Sequence, residues 1–309
     1  MILAARIIEE RKNYYIADTG AVSVPVVLKG ILKKEHKRLL AGDFVDIEIF
    51  ESEFGSEGII RKLHPRRNEL YKPAIANIDR VFLIVAIREP VLEPDYIDRF
   101  LFYLESRSVP AVIVFNKMDL AEKSSDDAYI YVTSYYESIG YPILKVSARE
   151  CIGIESILTI AKSGVSIFAG PSGAGKSTLL SRIFPHIIFE TNELSKNIMR
   201  GVNTTTFTTL LRYDVAFIAD TPGFSYLEAP DLDEERVSSC FVEFADHAKH
   251  CRFSNCMHIN EPECGVKDAV SRLVIAPFRY ESYKNIYNEV KINRLNKRDR
   301  GARRIVRQR

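Results

Sequence analysis

The chain has 309 residues, of which 46% are hydrophobic and 27% are charged. This composition is typical of a folded globular protein, and the length suggests about two domains, or one large domain with additions. The longest apolar run, Val81 to Ile87, is too short to cross a membrane. The N-terminal residues do not read as a secretory signal, so neither a membrane protein nor an exported one is predicted.

The cysteines and the charge distribution predict a reducing compartment and a polyanionic partner. An odd number of cysteines without an export signal argues against a disulfide framework and favours the cytoplasm. Cys151 and Cys240 are predicted to be buried packing residues. The net charge is +2, but residues 291–309 carry nine Lys or Arg and one Asp, which leaves −6 for the rest. Such a basic tail suits a polyanion, and a disordered solubilising tail is the alternative interpretation.

Residues 1–68 are predicted to form a small β-barrel such as an OB-fold, because five short β-rich segments are separated by charged or glycine-containing turns. The connection Lys29 to Arg38 is basic, and OB-folds bind nucleic acid through such loops. A barrel without a ligand is the alternative. The predicted strands are Ile7–Ile8, Asn13–Ala17, Val22–Leu28, Asp43–Phe50 and Gly58–Leu63.

Residues 69–228 are predicted to form a doubly wound, mostly parallel α/β domain, because continuous apolar runs alternate with amphipathic segments. Residues 229–309 are predicted to be helical around a cysteine cluster. The predicted strands are Val81–Ala86, Ala111–Phe115, Ile143–Val146, Val165–Ala169, Leu210–Tyr213 and Val215–Ala219. The predicted helices are Tyr96–Ser106, Ala128–Ile139, Ile154–Lys162 and Lys176–Ile183.

A phosphate-binding loop is the strongest motif. Gly170 to Ser177 matches G-x-x-x-x-G-K-[ST] between a predicted strand and a predicted helix, where main-chain N–H groups and the helix N-terminus can surround phosphates. Lys176 is predicted to contact the β- and γ-phosphates, and Ser177 to bind Mg²⁺. The candidate phosphate-binding residues are Gly170, Pro171, Ser172, Gly173, Ala174, Gly175, Lys176, Ser177 and Thr178.

Two further segments are candidates for Mg²⁺ and γ-phosphate contacts. Asp220 follows a predicted strand at the position of a second Mg²⁺ contact, and Gly223 offers an N–H group to the γ-phosphate. The triplet Thr204-Thr205-Thr206 offers a hydroxyl to the Mg²⁺ shell, with Thr205 and Thr206 as candidates. An ordinary turn and a threonine-rich loop are the alternatives. The candidate catalytic residues are Lys176, Ser177, Asp220 and Gly223.

A base-reading loop makes GTP the predicted nucleotide. Asn116-Lys117-Met118-Asp119 follows a predicted strand, and the Asp119 carboxylate can accept hydrogen bonds from N1–H and the N2 amino group of guanine, which adenine lacks. Lys117 can cover the sugar and base with its aliphatic stem. Ser147-Ala148 follows another predicted strand and can present an N–H group to guanine O6.

The order of these motifs is permuted. In the common GTPase arrangement the phosphate loop comes first, whereas here the motifs at Asn116 and Ser147 precede the loop at Gly170. The cyclic order is preserved, and because chain termini often lie close together, the same fold can form with its ends relocated. The segment after Asp220 therefore leads directly into the C-terminal region.

The cysteine cluster predicts a structural zinc site. Three thiolates and one imidazole within a short polar segment are a tetrahedral ligand set that contributes to folding. His247 and His250 lie nearby as competing ligands, and reduced, unligated cysteines are the alternative. The predicted ligands are Cys251, Cys256, His258 and Cys264.

These motifs together resemble the RsgA (YjeQ) family, circularly permuted bacterial GTPases of small-subunit ribosome assembly. The resemblance implies an OB-fold, a central GTPase domain and a C-terminal zinc domain that dock on the 30S subunit and its 16S rRNA, with GTP hydrolysis coupled to release late in maturation. Two departures are Asn203, where the family usually has His, and Glu263, where it tends to have Gly. Further segments that resemble the family are Lys72-Pro73-x-Ile75-Ala76-Asn77-Ile78-Asp79, Asp98-Arg99-Phe100-Leu101 and Asp220-Thr221-Pro222-Gly223-Phe224.

Phe224 stands where many GTPases carry a glutamine that orients water, so slow intrinsic hydrolysis and activation by a partner are predicted. No feature indicates an obligate oligomer, and a monomer is expected. A nucleic-acid-binding module with a remnant phosphate loop is one alternative, against which the intact Lys176, Ser177 and Asp220 argue. A P-loop kinase is another, against which the base-reading motif argues.

Overall fold

The computed structural model describes residues 2–28, 38–52, 55–123, 128–185, 208–220, 230 and 232–306. Its strands are β1 (Ile2–Glu10), β2 (Tyr15–Asp18), β3 (Ser23–Leu28), β4 (Phe44–Ser52), β5 (Gly55–Leu63), β6 (Glu69–Tyr71), β7 (Ala74–Ala76), β8 (Arg80–Ala86), β9 (Ala111–Asn116), β10 (Ile143–Lys145), β11 (Gly164–Ala169), β12 (Thr209–Tyr213) and β13 (Ala216–Asp220). Its helices are α1 (Pro94–Glu105), α2 (Ala128–Ser138), α3 (Ile154–Ala161), α4 (Lys176–Ile183), α5 (Phe244–Ala248), α6 (Gly265–Ser271) and α7 (Pro277–Val306).

The first five strands form a closed barrel in the order β1-β2-β3-β5-β4. The β3–β5 pair is parallel and the other pairs are antiparallel. Side chains alternate along β4, where Val45 and Ile47 are buried inside the barrel while Asp46 and Glu48 are not. The predicted OB-fold barrel is thus confirmed. Of its basic connection, Arg38 is described and forms an ion pair with Glu10, whereas Lys29 to Lys37 lie outside the described residues.

A two-stranded hairpin, β6–β7, follows the barrel and was not predicted. It is tied back to the barrel by the main chain of Ala76, which donates to the Ala41 carbonyl at 2.8 Å. The buried Asn77 adds side-chain hydrogen bonds to the Gly42 carbonyl and from the Arg67 main chain. Each strand has only three residues, too few for a periodic pattern to be visible in the sequence.

The central sheet has the order β10-β9-β8-β11-β13-β12, and all its pairs except β12–β13 are parallel. Helices α1 and α2 contribute to the core on one face, and α3 and α4 to the core on the other. Because both faces are covered, the strands β8, β9 and β11 in the middle of the sheet are mostly apolar and buried, whereas the outer strands β10 and β12 carry Lys145 and Arg212. The predicted doubly wound fold is confirmed.

The barrel rests on the β12–β13 edge of this sheet. The Arg6 guanidinium of β1 lies 4.2 Å from the ring centre of Phe44 and 5.2 Å from that of Phe217 on β13. Asp18 of β2 forms an ion pair of 3.1 Å with Arg212 of β12. The barrel therefore contacts the sheet domain through β12 and β13, which lie on one side of the phosphate-loop strand β11.

The C-terminal region has its own hydrophobic core, built by α5, α6 and α7 around aromatic residues. Cys240 is buried in this core, as predicted, but Cys151 is exposed and its predicted burial is wrong. Cys151 lies in an exposed turn between β10 and α3, with a φ of +59°. Within the described part of the chain, no helix is both long and apolar enough to cross a membrane.

Candidate nucleotide site and metal centre

The predicted phosphate loop connects the central strand β11 to α4. Gly170 has a φ of +145°, and a Cβ atom there would lie 2.0 Å from the Ile84 carbonyl oxygen, so the loop passes β8 at a distance that only glycine allows. The Lys176 ammonium donates to the carbonyls of Gly170 at 2.7 Å and Pro171 at 2.8 Å, and burial lowers its pKa. Ser177 and Thr178, in the first turn of α4, are exposed. The loop thus places one cation and two hydroxyls at a helix N-terminus.

Asn116, at the end of β9, joins three loops. Its side-chain amide donates to the Ala174 carbonyl of the phosphate loop at 2.8 Å, and its side-chain oxygen accepts from the Ala148 N–H group at 3.0 Å. Its main-chain carbonyl accepts from Ile87 at 3.1 Å. The residue is only 1% exposed. The motifs at 116 and 147 therefore meet the motif at 170 at one end of the sheet.

Asp119 and Ser147 are oriented by each other. The Ser147 hydroxyl donates to one Asp119 carboxylate oxygen at 2.7 Å and accepts from the Glu150 N–H group. Met118 is held by a main-chain hydrogen bond to the Val146 carbonyl. Because Ser147 is fully buried, this contact fixes the carboxylate at the rim of the site.

Lys117 bridges from the base-reading loop to the β8–α1 connection. It has a φ of +65°, and its ammonium contacts the Glu89 carbonyl. A cavity of about 120 Å³ lies between this connection and the phosphate loop, with Tyr96, Pro171 and Ser172 among its lining residues. The base loop, the phosphate loop and the start of α1 thus lie side by side.

The remaining candidates for Mg²⁺ and the γ-phosphate are only partly described. Asp220 is the last residue of β13. The residue before it, Ala219, pairs with Ile167 of the parallel strand β11, so the backbone of Asp220 lies at the same end of the sheet as the phosphate loop. The Asp220 side chain lies outside the described residues, as do Asn203, Thr204, Thr205, Thr206, Gly223 and Phe224.

The predicted metal ligands converge on one point. All four ligand atoms lie within 4.8 Å of one another. The sulfur-to-sulfur distance between Cys251 and Cys264 is 3.8 Å, and their sulfurs lie 3.5 and 3.4 Å from Nδ1 of His258. The competing histidines, His247 and His250, are not part of the cluster. This Cys₃His group can hold a metal ion.

The chemistry of the donor set also fits a cation. Burial lowers the pKa of His258, which favours the neutral, ligating imidazole, and raises the pKa of the Cys256 thiol to about 12. A bound cation would offset this cost by stabilising the thiolate. Glu263, just before the last ligand, has a φ of +50°, a left-handed conformation that glycine adopts more readily than other residues. The Glu263 side chain forms an exposed ion pair of 2.5 Å with Arg252.

Sequence reasoning missed the contacts that hold these loops together. In other loops, Asn116 contacts the main-chain carbonyl of Ala174 and the N–H group of Ala148, and Lys117 contacts the main-chain carbonyl of Glu89. Main-chain groups occur throughout the chain, so the residue types in the sequence do not identify these hydrogen-bond partners. The feature of the sequence that comes closest to indicating a contact between these segments is Gly170, because only glycine fits where the phosphate loop passes β8.

Comparison with known proteins decides the family. The sequence profile described as RsgA GTPase matches residues 63–230. The chain belongs to the RsgA GTPase family. Several relatives bear the name Small ribosomal subunit biogenesis GTPase RsgA, and two of them illustrate the similarity. That of Alkaliphilus metalliredigens is 38% identical over 267 residues, covering 86% of this chain and 90% of the relative. That of Leuconostoc citreum is 39% identical over 288 residues, covering 93% and 94%.

Solved structures agree with this assignment. YjeQ from Thermotoga maritima has 34% sequence identity and a TM-score of 0.80, covering 94% of this chain and 99% of that one. YloQ, described as a circularly permuted GTPase, has 27% identity and a TM-score of 0.79, covering 95% and 96%. The predicted family and permuted fold are confirmed, and the protein is a GTP-hydrolysing enzyme.

Proposed function

We propose that this protein binds the 30S ribosomal subunit and assists its late maturation, and that the subunit stimulates GTP hydrolysis, which drives release. The bridge from Asn116 to Ala174 and Ala148 carries the nucleotide part of this proposal, because it brings base-reading and phosphate-binding loops to one ligand site. The printed name of the relatives supports the ribosomal part.

Each described loop has a role in nucleotide binding. Asp119 accepts from the guanine N1–H and N2 groups, Lys117 covers the base, and Met118 completes the turn. The Ala148 N–H group next to Ser147, which is predicted to reach guanine O6, donates to the Asn116 side chain in this structure. Gly170 to Gly175 present main-chain N–H groups to the phosphates, beside the side chains of Lys176, Ser177 and Thr178. Mg²⁺, when bound with GTP, would neutralise charge on the phosphate oxygens, and the exposed Ser177 hydroxyl is available to hold it.

For hydrolysis, Asp220, Gly223 and one of Thr205 and Thr206 are the proposed partners of Mg²⁺ and the γ-phosphate. Phe224 has no group that can orient water, and Asn203 replaces the usual family histidine. We therefore expect slow turnover in isolation and faster turnover when the ribosomal subunit supplies or positions the missing group.

The metal in the Cys₃His cluster is proposed to be one structural Zn²⁺. With Zn–S bonds of about 2.3 Å and Zn–N bonds of about 2.0 Å, a tetrahedral site requires about 3.8 Å between sulfurs and about 3.5 Å from sulfur to nitrogen. The distances between Cys251, Cys264 and His258 agree with these values. Cys256 completes the set.

The barrel, the zinc-binding region and the basic tail are the proposed 16S rRNA contacts. We place the domain boundaries at 1–68, 69–228 and 229–309, and expect a cytoplasmic monomer. The charge of the tail supports this assignment, since nine basic residues in 291–309 favour a phosphate backbone as partner.

The test is a GTPase assay with and without purified 30S subunits, with 50S subunits as the control. We expect hydrolysis to rise at least about tenfold with 30S subunits only, within the range that a supplied catalytic group provides. Co-sedimentation with a non-hydrolysable GTP analogue should exceed that with GDP. Equal rates with and without 30S subunits would reject the proposed partner and mechanism together.

A further inference from the structure

Helix α1 belongs to two hydrophobic cores at once. Ile97, Phe100 and Leu101 are buried in the core beneath the central sheet. Phe102 on the same helix is buried in the core of the C-terminal region, where its ring centre lies 6.3 Å from that of Phe241. A helix packed on two sides in this way cannot shift without moving both cores.

A buried ion cluster strengthens this connection. Arg279 of α7 and Asp98 of α1 are both 0% exposed, and their closest side-chain atoms lie 2.7 Å apart. The same guanidinium pairs with Glu243 at 2.8 Å. Tyr136 of α2 donates its hydroxyl to Asp98 at 2.5 Å. Removing one member of such a group leaves an uncompensated buried charge, so the cluster holds its elements in one arrangement.

A half-exposed pair extends the contact along the two helices. Arg99 of α1 lies 2.6 Å from Glu289 of α7, about three turns beyond Arg279. The side chains are 36% and 35% exposed, so this pair can be removed without burying a lone charge. It offers a mild way to weaken the α1–α7 contact.

The N-terminal end of α1 lies at the nucleotide site. The connection from β8 to α1 is held by Lys117 of the base-reading loop, which contacts the Glu89 carbonyl, and by Ile87, which donates to Asn116. Tyr96, in the first turn of α1, shares a small cavity with Pro171 and Ser172 of the phosphate loop. Both nucleotide loops are thus next to the N-terminal end of the helix.

We propose that α1 transmits occupancy of the nucleotide site to the C-terminal metal-binding region through its two ion-pair contacts with α7, Asp98–Arg279 and Arg99–Glu289. This route runs in parallel with the covalent connection after Asp220. A nucleotide that orders Lys117 and the phosphate loop restricts the start of α1, and the two shared cores pass this restriction to α7. Packed elements in continuous contact can carry energetic coupling of this kind, and the two cores supply them. The inference rests on the proposed function, because its ligand is a guanine nucleotide.

Hydrogen–deuterium exchange on the full-length, metal-loaded protein tests this coupling. Exchange would be measured for peptides covering α1 and residues 277–290 of α7, with and without saturating GDP, while GDP binding is measured separately by calorimetry. We expect GDP to slow exchange in both helices by about fivefold or more. Slower exchange in α1 with no change in α7 would overturn the proposal. Failure of GDP to bind would reject the proposed function itself, and this inference with it.

Two glutamates on α7 provide a matched pair of variants. Glu289→Ala removes the ion pair to α1, whereas Glu281→Ala removes only a pair within α7, to Lys284. We expect Glu289→Ala to lose at least half of the GDP-dependent protection in α7 with GDP affinity unchanged, and Glu281→Ala to keep it. Equal protection in both variants would show that the α1–α7 contact does not carry the signal.

Discussion

The side-chain amide of Asn116 donates a hydrogen bond of 2.8 Å to the main-chain carbonyl of Ala174. This single contact joins two loops that are far apart in the chain and reversed relative to the usual GTPase order. The fit is tight, because a Cβ atom added to the adjacent Gly175 would lie 2.4 Å from the same amide nitrogen. The geometry of the nucleotide site therefore depends on this side chain.

Replacing Asn116 with Ala should weaken binding of both GDP and GTP. Two buried hydrogen bonds are lost, and the Ala174 carbonyl and Ala148 N–H group lose their partner, so we expect affinity to fall roughly 10- to 100-fold. Calorimetric titration with GDP measures this. Asn285→Ala, at an exposed position on α7, is the control and should bind as the wild type does. Unchanged affinity in Asn116→Ala would show that the loops keep their positions without this bridge.

Replacing Asp119 with Asn should change which base is preferred. The amide can no longer accept from both guanine donors, but it can donate to the additional carbonyl of xanthine. We expect GDP affinity to fall roughly 10- to 100-fold and XDP affinity to rise. Competition between GDP and XDP for a fluorescent nucleotide gives the ratio directly. A ratio that stays in favour of GDP would place base recognition elsewhere.

Replacing Cys256 with Ser should remove the bound metal and destabilise the protein. Cys256 is a buried member of the Cys₃His cluster. Its replacement removes one of the four metal ligands, and with it the contribution of metal binding to folding. We expect about one metal equivalent per chain in the wild type, much less in the variant, and a melting temperature lower by roughly 5 °C or more. Elemental analysis and thermal denaturation measure these. Cys151→Ser, which changes an exposed cysteine outside the cluster, should leave both unchanged.

Replacing Arg279 with Met should destabilise the contact between the sheet domain and the C-terminal region. Asp98 and Glu243 would remain buried without their cation, which costs about 3–5 kcal/mol. Urea denaturation followed by circular dichroism measures the change. Arg272→Met, which breaks an exposed pair with Asp268, is the control and should cost less than about 1 kcal/mol. Adding Asp98→Asn and Glu243→Gln to Arg279→Met should recover at least half of the loss.

The sequence was sufficient to predict the motifs and the strands of the central sheet, whereas the β6–β7 hairpin was not predicted and β1 spans Ile2–Glu10 where only Ile7–Ile8 was predicted. The phosphate-loop helix Lys176–Ile183 was predicted with the observed bounds, and the strands of the sheet within one or two residues, because long apolar runs and glycine-rich turns have local physical causes. The four metal ligands were predicted from short-range spacing, and they meet in space. The roles of the nucleotide-binding residues remain predictions.

Contacts between distant segments were not predictable in the same way. Asp98 and Arg279 are 181 residues apart, and neither a lone buried acid nor a lone buried arginine can be recognised from its own neighbourhood. The segment Asp98-Arg99-Phe100-Leu101 resembles the RsgA family, but the sequence did not indicate its function. In the structure it lies where the hydrophobic core of the sheet domain meets that of the C-terminal region. Cys151 was assigned to the interior because its residue type is usually buried, but the local turn decides its exposure.

The strand order also determines what a partly synthesised chain exposes. When translation has reached Ser163, β8, β9 and β10 can already lie side by side, but the second partner of β8, which is β11, has not been made. Over this interval the apolar segment Arg80–Ala86 is an open sheet edge, and such edges pair readily with other nascent chains. In this permuted order the open edge closes only when the strand before the phosphate loop leaves the exit tunnel.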